Sequence, residues 1–524
     1  MLNIDSPAAL AAALEGRLVL CPQSETPLPT DWTTVGVAID SRRVSAGDIF
    51  WALPGARRHA AGARSSAAGA LGHAAGAQRD GADFVADALA RGACGAVTAR
   101  TGCVVPPGRW IIEVDDAIAA LQRLAAWQRG QFPGTVVGVT GSVGKSTTRE
   151  LIRTLLAHRH ETLASPANYN NHIGLPLSML GLQPRTEFAV LELAASGPGE
   201  IAQLASLCQP QWGVITSLAD AHLAGFGSYE GVVAAKTELA AAIPEDGYLV
   251  LNGDDARLRR WAARAEAQCP RWRERICWVG RSMDCDLRAE HVRYREGQLE
   301  FRLAGIPFSV SIAGRHFLPN VLTAIAIAVR SGIDLSDAAD ALAGFSGLPL
   351  RCEVTRTAGV TIIDDSYNAC PASMRAALNL LRETPASGRR LVLCGDMREL
   401  GEKSAELHAE IGEATVHTAG ADGLFACGDW GASLAEAARR AGMPSDRVWA
   451  SDDTDCVVQQ LIATLRPGDA LLVKASRAVG LDRVVENLKK VLEQNAKRHS
   501  LVPETLLFSL PAAGMKDLSA ANRI

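Results

Sequence analysis

No two cysteines are spaced as CxxC, although the chain carries twelve of them. Their scatter excludes a zinc ribbon or a thioredoxin-type dithiol and predicts reduced thiols packed in cores. No charge of one sign dominates: 53 Lys and Arg stand against 57 Asp and Glu, for a formal net charge of -4. That balance excludes a global basic field for nucleic acid or an anionic membrane, while leaving room for local phosphate pockets. The opening stretch, MLNIDSPAALAAALEGRLVL, lacks a basic n-region and holds Asp5 and Glu15 among its apolar residues. No signal peptide is therefore predicted. No run is apolar for the length of a bilayer crossing, and no segment repeats. A cytoplasmic protein without stable membrane insertion is expected.

What the chain does have is length and alternation. Its 524 residues exceed one compact core and imply about three domains. The expected divisions are 1–130, 131–346 and 347–498, then a tail at 499–524 without clear period. The first holds the extended-looking VGVAIDSRRVSAGDIFWALPG (35–55) and then an Ala- and Gly-rich stretch (56–80) read as a flexible surface insertion. The second opens on TVVGVT, a β-branched run of the buried parallel-strand kind, followed by a glycine-rich turn and an amphipathic helix. Strand candidates FAVLELA, WGVITSL and YLVLNGDD alternate with helical stretches, and 277–312 reads as β-rich hairpins. The third alternates again through VTIIDDSY, RLVLCGDM, GLFACG and ALLVKASR. The pattern predicts an α/β protein with doubly wound parallel sheets.

The strongest local motif runs from Gly138 through Thr140, Gly141, Ser142, Val143, Gly144, Lys145, Ser146 and Thr147. It sits between a buried strand and a helix, where glycines let backbone N–H groups face phosphate oxygens and the helix N-terminus adds positive potential. Lys145 can bridge β- and γ-phosphates, and the Ser146 hydroxyl can ligate magnesium. Val139 stands where the strict pattern has glycine. A nucleotide is the predicted ligand, a glycine-rich turn that merely packs a helix onto a sheet being the plain alternative.

Downstream polar residues narrow the chemistry. Glu192 interrupts an apolar strand, where an unpaired charge is costly; a strand-end ion pair is the plain alternative. Asp220 and His222 follow a strand end, the ligand-binding edge of open α/β sheets. Lys236, next to Ala234 and Ala235 on a probable helix, would alone read as a snorkelling surface lysine.

Together the segments TGSVGKST, NYNNHIGLPLSML, ITSLADAHLAGFGSYEGVVAAKTEL, DDSYNACPASM, GDMRELGEKSAELH and VKASR resemble the Mur ligases, over about 40–488. Tyr-Asn after a double aspartate, and AHLAGFGS before the lysine, look like the members that add D-Ala-D-Ala. The resemblance implies three α/β domains: a UDP-sugar-peptide domain, a central P-loop ATPase and a Rossmann-like closing domain. It implies that ATP and Mg2+ activate the terminal carboxylate of UDP-MurNAc-tripeptide as an acyl phosphate, which the amine of D-Ala-D-Ala attacks. Lys145, Glu192, His222 and Lys236 would carry that chemistry. Ser146 and Glu192 would hold one magnesium; His222 and a carbamylated Lys236 would serve a second, an oxygen ligand suiting a hard cation better than an ammonium. Asn320, Arg351, Asp365, Tyr367 and Asn368 would line the ATP site. Ser41, Arg42, Asn168, Asn170, Asn171, Lys474, Ser476 and Arg477 would contact the other substrates. A monomer is the family expectation.

Departures surround this core. Ala194-Ala195-Ser196, Ser217-Leu218-Ala219-Asp220, His316-Phe317, Cys370 and the KASR segment each replace a usual family pattern. They leave open another ligase of the superfamily, of folate-polyglutamate or cyanophycin type, and a paralogue that binds without turnover. A mechanical P-loop ATPase lacks any arginine-finger signature in this chain.

Overall fold

The computed structural model describes residues 6–21, 36–55 and 79–500, with side chains to residue 495. The Ala- and Gly-rich stretch lies outside these residues up to position 78, and so does the tail beyond 500. Asp80, read as the end of the insertion, instead caps the turn Gly81–Phe84 by accepting from Ala82 N at 3.0 Å. The last helix, Leu481–Ser500, runs past the expected start of the tail at 499.

Three sheets form. The first has five strands in the order Arg17–Leu20, Trp110–Glu113, Gly95–Thr98, Ile49–Ala52 and Val37–Ala38. Only Arg17–Leu20 runs antiparallel to its neighbour. Its three middle strands are buried at every residue, as continuous apolar runs covered on both faces must be.

The helix Ala117–Gly130 leads into the second sheet, its N-terminus capped by Asp116, which accepts from Ile118 N and Ala119 N. Near its other end Arg129 is buried. It donates to the carbonyls of Cys208, Phe132 and Gln209 at 2.7, 3.1 and 3.0 Å.

The second sheet has nine strands. Its parallel part reads Ile276–Gly280, Tyr248–Asn252, Trp212–Ile215, Thr135–Thr140, Phe188–Glu192 and Thr162–Ala164 across the sheet. The chain leaves the central strand Thr135–Thr140 toward one edge, returns at Phe188–Glu192, and then crosses to Trp212–Ile215 on the other side. This reversal opens a crevice at the carboxyl ends of those three strands. Beyond Ile276–Gly280, the strand Leu287–Arg295 adds parallel, and Gln298–Leu303 and Ile306–Val310 add antiparallel, as the hairpin reading of this stretch anticipates.

The third sheet has six strands, ordered Glu353–Thr357, Val360–Asp364, Ala470–Lys474, Arg390–Cys394, Gly423–Cys427 and Val448–Ser451, parallel except for the first. Strand alternation splits its core. Ile363, Val392, Leu424 and Leu472 join an apolar cluster continuous with that of the second sheet. Ile362, Leu391, Leu393, Phe425 and Leu471 face the opposite way, onto the helices Thr454–Thr464 and Leu481–Ser500. The central and C-terminal sheets therefore share apolar packing beside the crevice.

Replacing Arg129 with Met would strand three carbonyls inside the protein. Arg129→Met is expected to lower stability by roughly 2–3 kcal/mol, read by chemical denaturation; an unchanged midpoint would contradict the strut role.

Candidate active site

The loop after Thr135–Thr140 turns at Gly141 and Gly144, with φ of 141° and 89°. Neither position has room for a side chain. A Cβ at Gly141 would lie 2.1 Å from Thr216 Oγ1, and one at Gly144 2.3 Å from Asn320 Nδ2. Thr140 Oγ1 donates to the Leu193 carbonyl at 2.8 Å. Ser142 Oγ donates to Ala219 O at 3.1 Å, and Val143 N donates to Ser217 Oγ at 3.2 Å. Ser217, one of the departures from the family pattern, thus pins the loop. Asn320 donates to Thr148 Oγ1 at 2.8 Å and braces the loop from behind.

Gly144 caps the helix Lys145–Leu156, whose first turn presents Lys145 and Ser146 to the crevice, with Thr147 buried beside them. The Lys145 ammonium donates to Gly141 O at 2.9 Å, closing over its own loop. Burial lowers its pKa; the Glu192 carboxylate opposes that shift and Arg351 reinforces it.

Glu192 ends its strand 1% exposed. Ser146 Oγ donates to its Oε2 at 2.8 Å and Asn170 Nδ2 to its Oε1 at 2.9 Å. The Arg149 guanidinium lies 3.5 Å from Oε2 and also donates to Ala167 O at 2.6 Å. From the third domain, Arg351 donates to Ser146 Oγ at 3.0 Å and stacks on the Tyr367 ring at 4.0 Å. Three groups from three separate segments, Arg149, Asn170 and Arg351, thus converge on one carboxylate and one hydroxyl.

Taken alone Lys236 would read as a surface lysine; the structure buries it. It is 1% exposed, donates to Ala195 O at 3.0 Å and lies 5.1 Å from the centre of the Phe226 ring. Burial, and then repulsion from Lys145, push its pKa down to about 7. His222 and Lys236 face the same Phe226 ring, and the His222 Nδ1 meets Glu399 Oε2 of the third domain. Among the described residues, no group of three or more His, Cys, Asp or Glu side chains is gathered for a metal. The donor set that does fit a hard cation beside phosphates is the Ser146 hydroxyl with the Glu192 carboxylate.

Other predicted residues lie around this centre. Asp365 accepts from Cys352 N at 3.2 Å and pairs with Lys474 at 2.6 Å. Lys474 also donates to Asn368 O at 2.7 Å. Ser476 Oγ accepts from Arg398 N at 2.9 Å, and Arg477 pairs with Asp482 at 3.0 Å. Asn171 is spent locally, its Oδ1 accepting from Ile173 N and Gly174 N at the start of the helix Gly174–Met179. Asn168 and Tyr169 precede it.

A second cavity, of about 330 Å³, separates the first and second sheets. It is lined by residues 36–40, Arg43 and Asp48 on one side and by Tyr169, Leu177, Leu180 and Gly181 on the other. Neither Ser41 nor Arg42 lines it. Ser41 is buried and bonds Asp87, while Arg42 folds back on Asp40 at 2.7 Å. Sequence reading named neither Arg43 nor Tyr169, both of which line the cavity. It also missed Arg149, whose signal was a charge one turn beyond Ser146 on the loop's own helix. Glu399 is 177 residues from its partner and carried no local signal.

A phosphate loop at the switch point of a parallel sheet, beside a buried carboxylate, defines the class: a P-loop nucleotide-binding protein. Family models describe residues 139–328 as a Mur ligase middle domain and 350–477 as a Mur ligase, glutamate ligase domain. The UDP-N-acetylmuramoyl-tripeptide–D-alanyl-D-alanine ligase of Bacillus subtilis is 33% identical, covering 86% of this chain and 93% of its own. The Escherichia coli enzyme of that name is 32% identical, covering 88% and 95%. The crystal structure of MurF from Acinetobacter baumannii matches with TM-score 0.75 and 26% identity over 92% of this chain and 98% of its own. MurF from Thermotoga maritima in complex with ADP matches with TM-score 0.71 and 31% identity over 88% and 99%. The chain belongs to the Mur ligase family, among its UDP-N-acetylmuramoyl-tripeptide–D-alanyl-D-alanine ligases.

The pKa of Lys236 has a stability consequence. Folded it titrates near 7, against 10.5 for a free lysine side chain. Between these values the folded amine is neutral while the unfolded one is charged, so unfolding takes up a proton and stability rises with pH. Below about pH 7 both are charged and the contribution is flat at its least favourable. The stability of the unmodified protein relative to Lys236→Met should therefore climb from pH 7 upward in denaturation measurements. A pH-independent difference would contradict the buried neutral amine.

Proposed function

We propose that the chain joins D-Ala-D-Ala to UDP-MurNAc-tripeptide with cleavage of ATP, through an acyl phosphate, giving UDP-MurNAc-pentapeptide, ADP and phosphate. The observation that carries this reading is the convergence of the phosphate loop, Glu192 and the third-domain Arg351 on Ser146. A carboxylate is a poor electrophile, and transferring the γ-phosphoryl to it creates a leaving group. The incoming amine then attacks the carbonyl carbon, phosphate departs, and the amine loses its proton. The protein's part is positioning and charge neutralisation.

Each residue's part follows from its placement. Loop N–H groups and Lys145 hold the triphosphate. Ser146 and Glu192 would hold a magnesium ion, which when bound neutralises phosphate charge. Arg351, brought by the third domain, faces the same phosphates, and Tyr367 supports its guanidinium. Lys236, titrating near neutrality, supplies a neutral amine that can take up carbon dioxide as a carbamate. His222 lies on the segment that enters the crevice from Trp212–Ile215. The cavity between the first two sheets is where the uridine-nucleotide end would bind, with Lys474, Ser476 and Arg477 on the side of the incoming dipeptide. The proposed setting is a cytoplasmic monomer; no helix among the described residues is long and apolar enough to cross a membrane.

Purified protein with magnesium, ATP, D-Ala-D-Ala and UDP-MurNAc-tripeptide, carrying either meso-diaminopimelate or lysine, should release phosphate and form a pentapeptide seen by mass. Lys145→Ala should lower the rate at least about 100-fold, and depleting bicarbonate should slow the unmodified enzyme. Phosphate release without pentapeptide would move the reading to another acceptor. Bound nucleotide with neither product would replace the ligase by a binding protein.

A further inference from the structure

His222 and Glu399 each hold the left-handed backbone conformation, with φ of 56° and 65°, although neither is glycine. Such conformations persist where surrounding contacts enforce them. Here the contacts are mutual. Glu399 Oε2 meets His222 Nδ1, and the Glu399 carbonyl accepts from Ala224 N at 3.1 Å. Gly401 lies flat against Ala224, and a Cβ there would be 3.5 Å from the Ala224 Cα. A three-residue corner of the third domain is thus docked on a three-residue corner of the second, by side chain, main chain and packing together.

The second-domain corner leads directly into the candidate site. The His222 carbonyl starts the short helix Leu223–Phe226 by accepting from Gly225 N and Phe226 N at 2.9 and 3.1 Å. Phe226 carries the ring that faces the Lys236 ammonium. A carboxylate on Nδ1 fixes the imidazole tautomer, keeps Nε2 as the lone-pair nitrogen and aims the ring.

We propose that Glu399 is a positioning residue: it sets the tautomer and orientation of His222, and it can do so only when the third domain is docked. Closure and readiness of the histidine then become one event. On the other flank, Arg351 reaches Ser146 from the same domain. Docking therefore completes the site at two points at once, and an undocked domain leaves both His222 and Ser146 without their cross-domain partners. The inference rests on the ligase reading for what the histidine serves, but the docking itself is readable without turnover.

Glu399→Ala, Glu399→Gln, His222→Ala and the double variant His222→Ala/Glu399→Ala decide it. Glu399→Ala should lower kcat about 10- to 100-fold and leave KM for ATP unchanged. Glu399→Gln, which keeps an acceptor oxygen, should recover part of the loss. The double variant should be no slower than His222→Ala, because Glu399 acts through the ring. In small-angle scattering with ADP and UDP-MurNAc-tripeptide, the unmodified protein should contract and Glu399→Ala should contract less. Wild-type kcat in Glu399→Ala, additive losses in the double variant, or undiminished contraction would each overturn the proposal. An unmodified chain that forms no pentapeptide would sink the ligase reading instead, and the scattering comparison would still decide the docking role.

Discussion

The structure turns on a carboxylate that cannot be left alone. Glu192 is buried at the end of a central parallel strand, where an unpaired charge would oppose folding. Its neutralisation recruits Ser146 and Arg149 from the phosphate-loop helix and Asn170 from the segment leading to the first-domain cavity. Through Ser146 it also recruits Arg351 from the third domain. The requirement to pair one charge therefore ties the phosphate loop, the segment beside the cavity of the first two sheets and the third domain to a single point. A cation held there would replace contacts that protein groups now make, so the same site serves stability and chemistry.

The two lysines illustrate how position sets charge. Burial lowers the pKa of both Lys145 and Lys236, and the Lys145 charge lowers that of Lys236 further. Lys145 has Glu192 to hold its proton. Lys236 donates to a carbonyl and faces an aromatic ring, with Glu200 and Glu238 opposing the shift, and it falls to about 7. Of the two, Lys236 is the one that titrates near neutral pH.

Local signals made much of this legible in the sequence. The strand–loop–helix grammar around Gly141 and Gly144 is contiguous, and Glu192 stood out as a charge inside AVLELA. The doubly wound alternation survived because parallel strands buried on both faces are uniformly apolar. Lys236 stood out only in company with Asp220 and His222, because its neighbours Ala234 and Ala235 fit a surface helix as well as a buried one. Ser41 and Arg42 were chosen by motif, but short-range pairing with Asp87 and Asp40 claims their polar groups. Glu399 meets His222 across a domain boundary, and no periodicity records such a contact.

The most direct test of the central claim is nucleotide titration by calorimetry on Glu192→Gln, with and without magnesium. If Glu192 is the shared node, the variant keeps metal-free nucleotide binding and loses the gain in affinity that magnesium gives the unmodified protein. A magnesium-dependent gain equal to that of the unmodified protein would show that the cation is held elsewhere, and the account built on this carboxylate would fall.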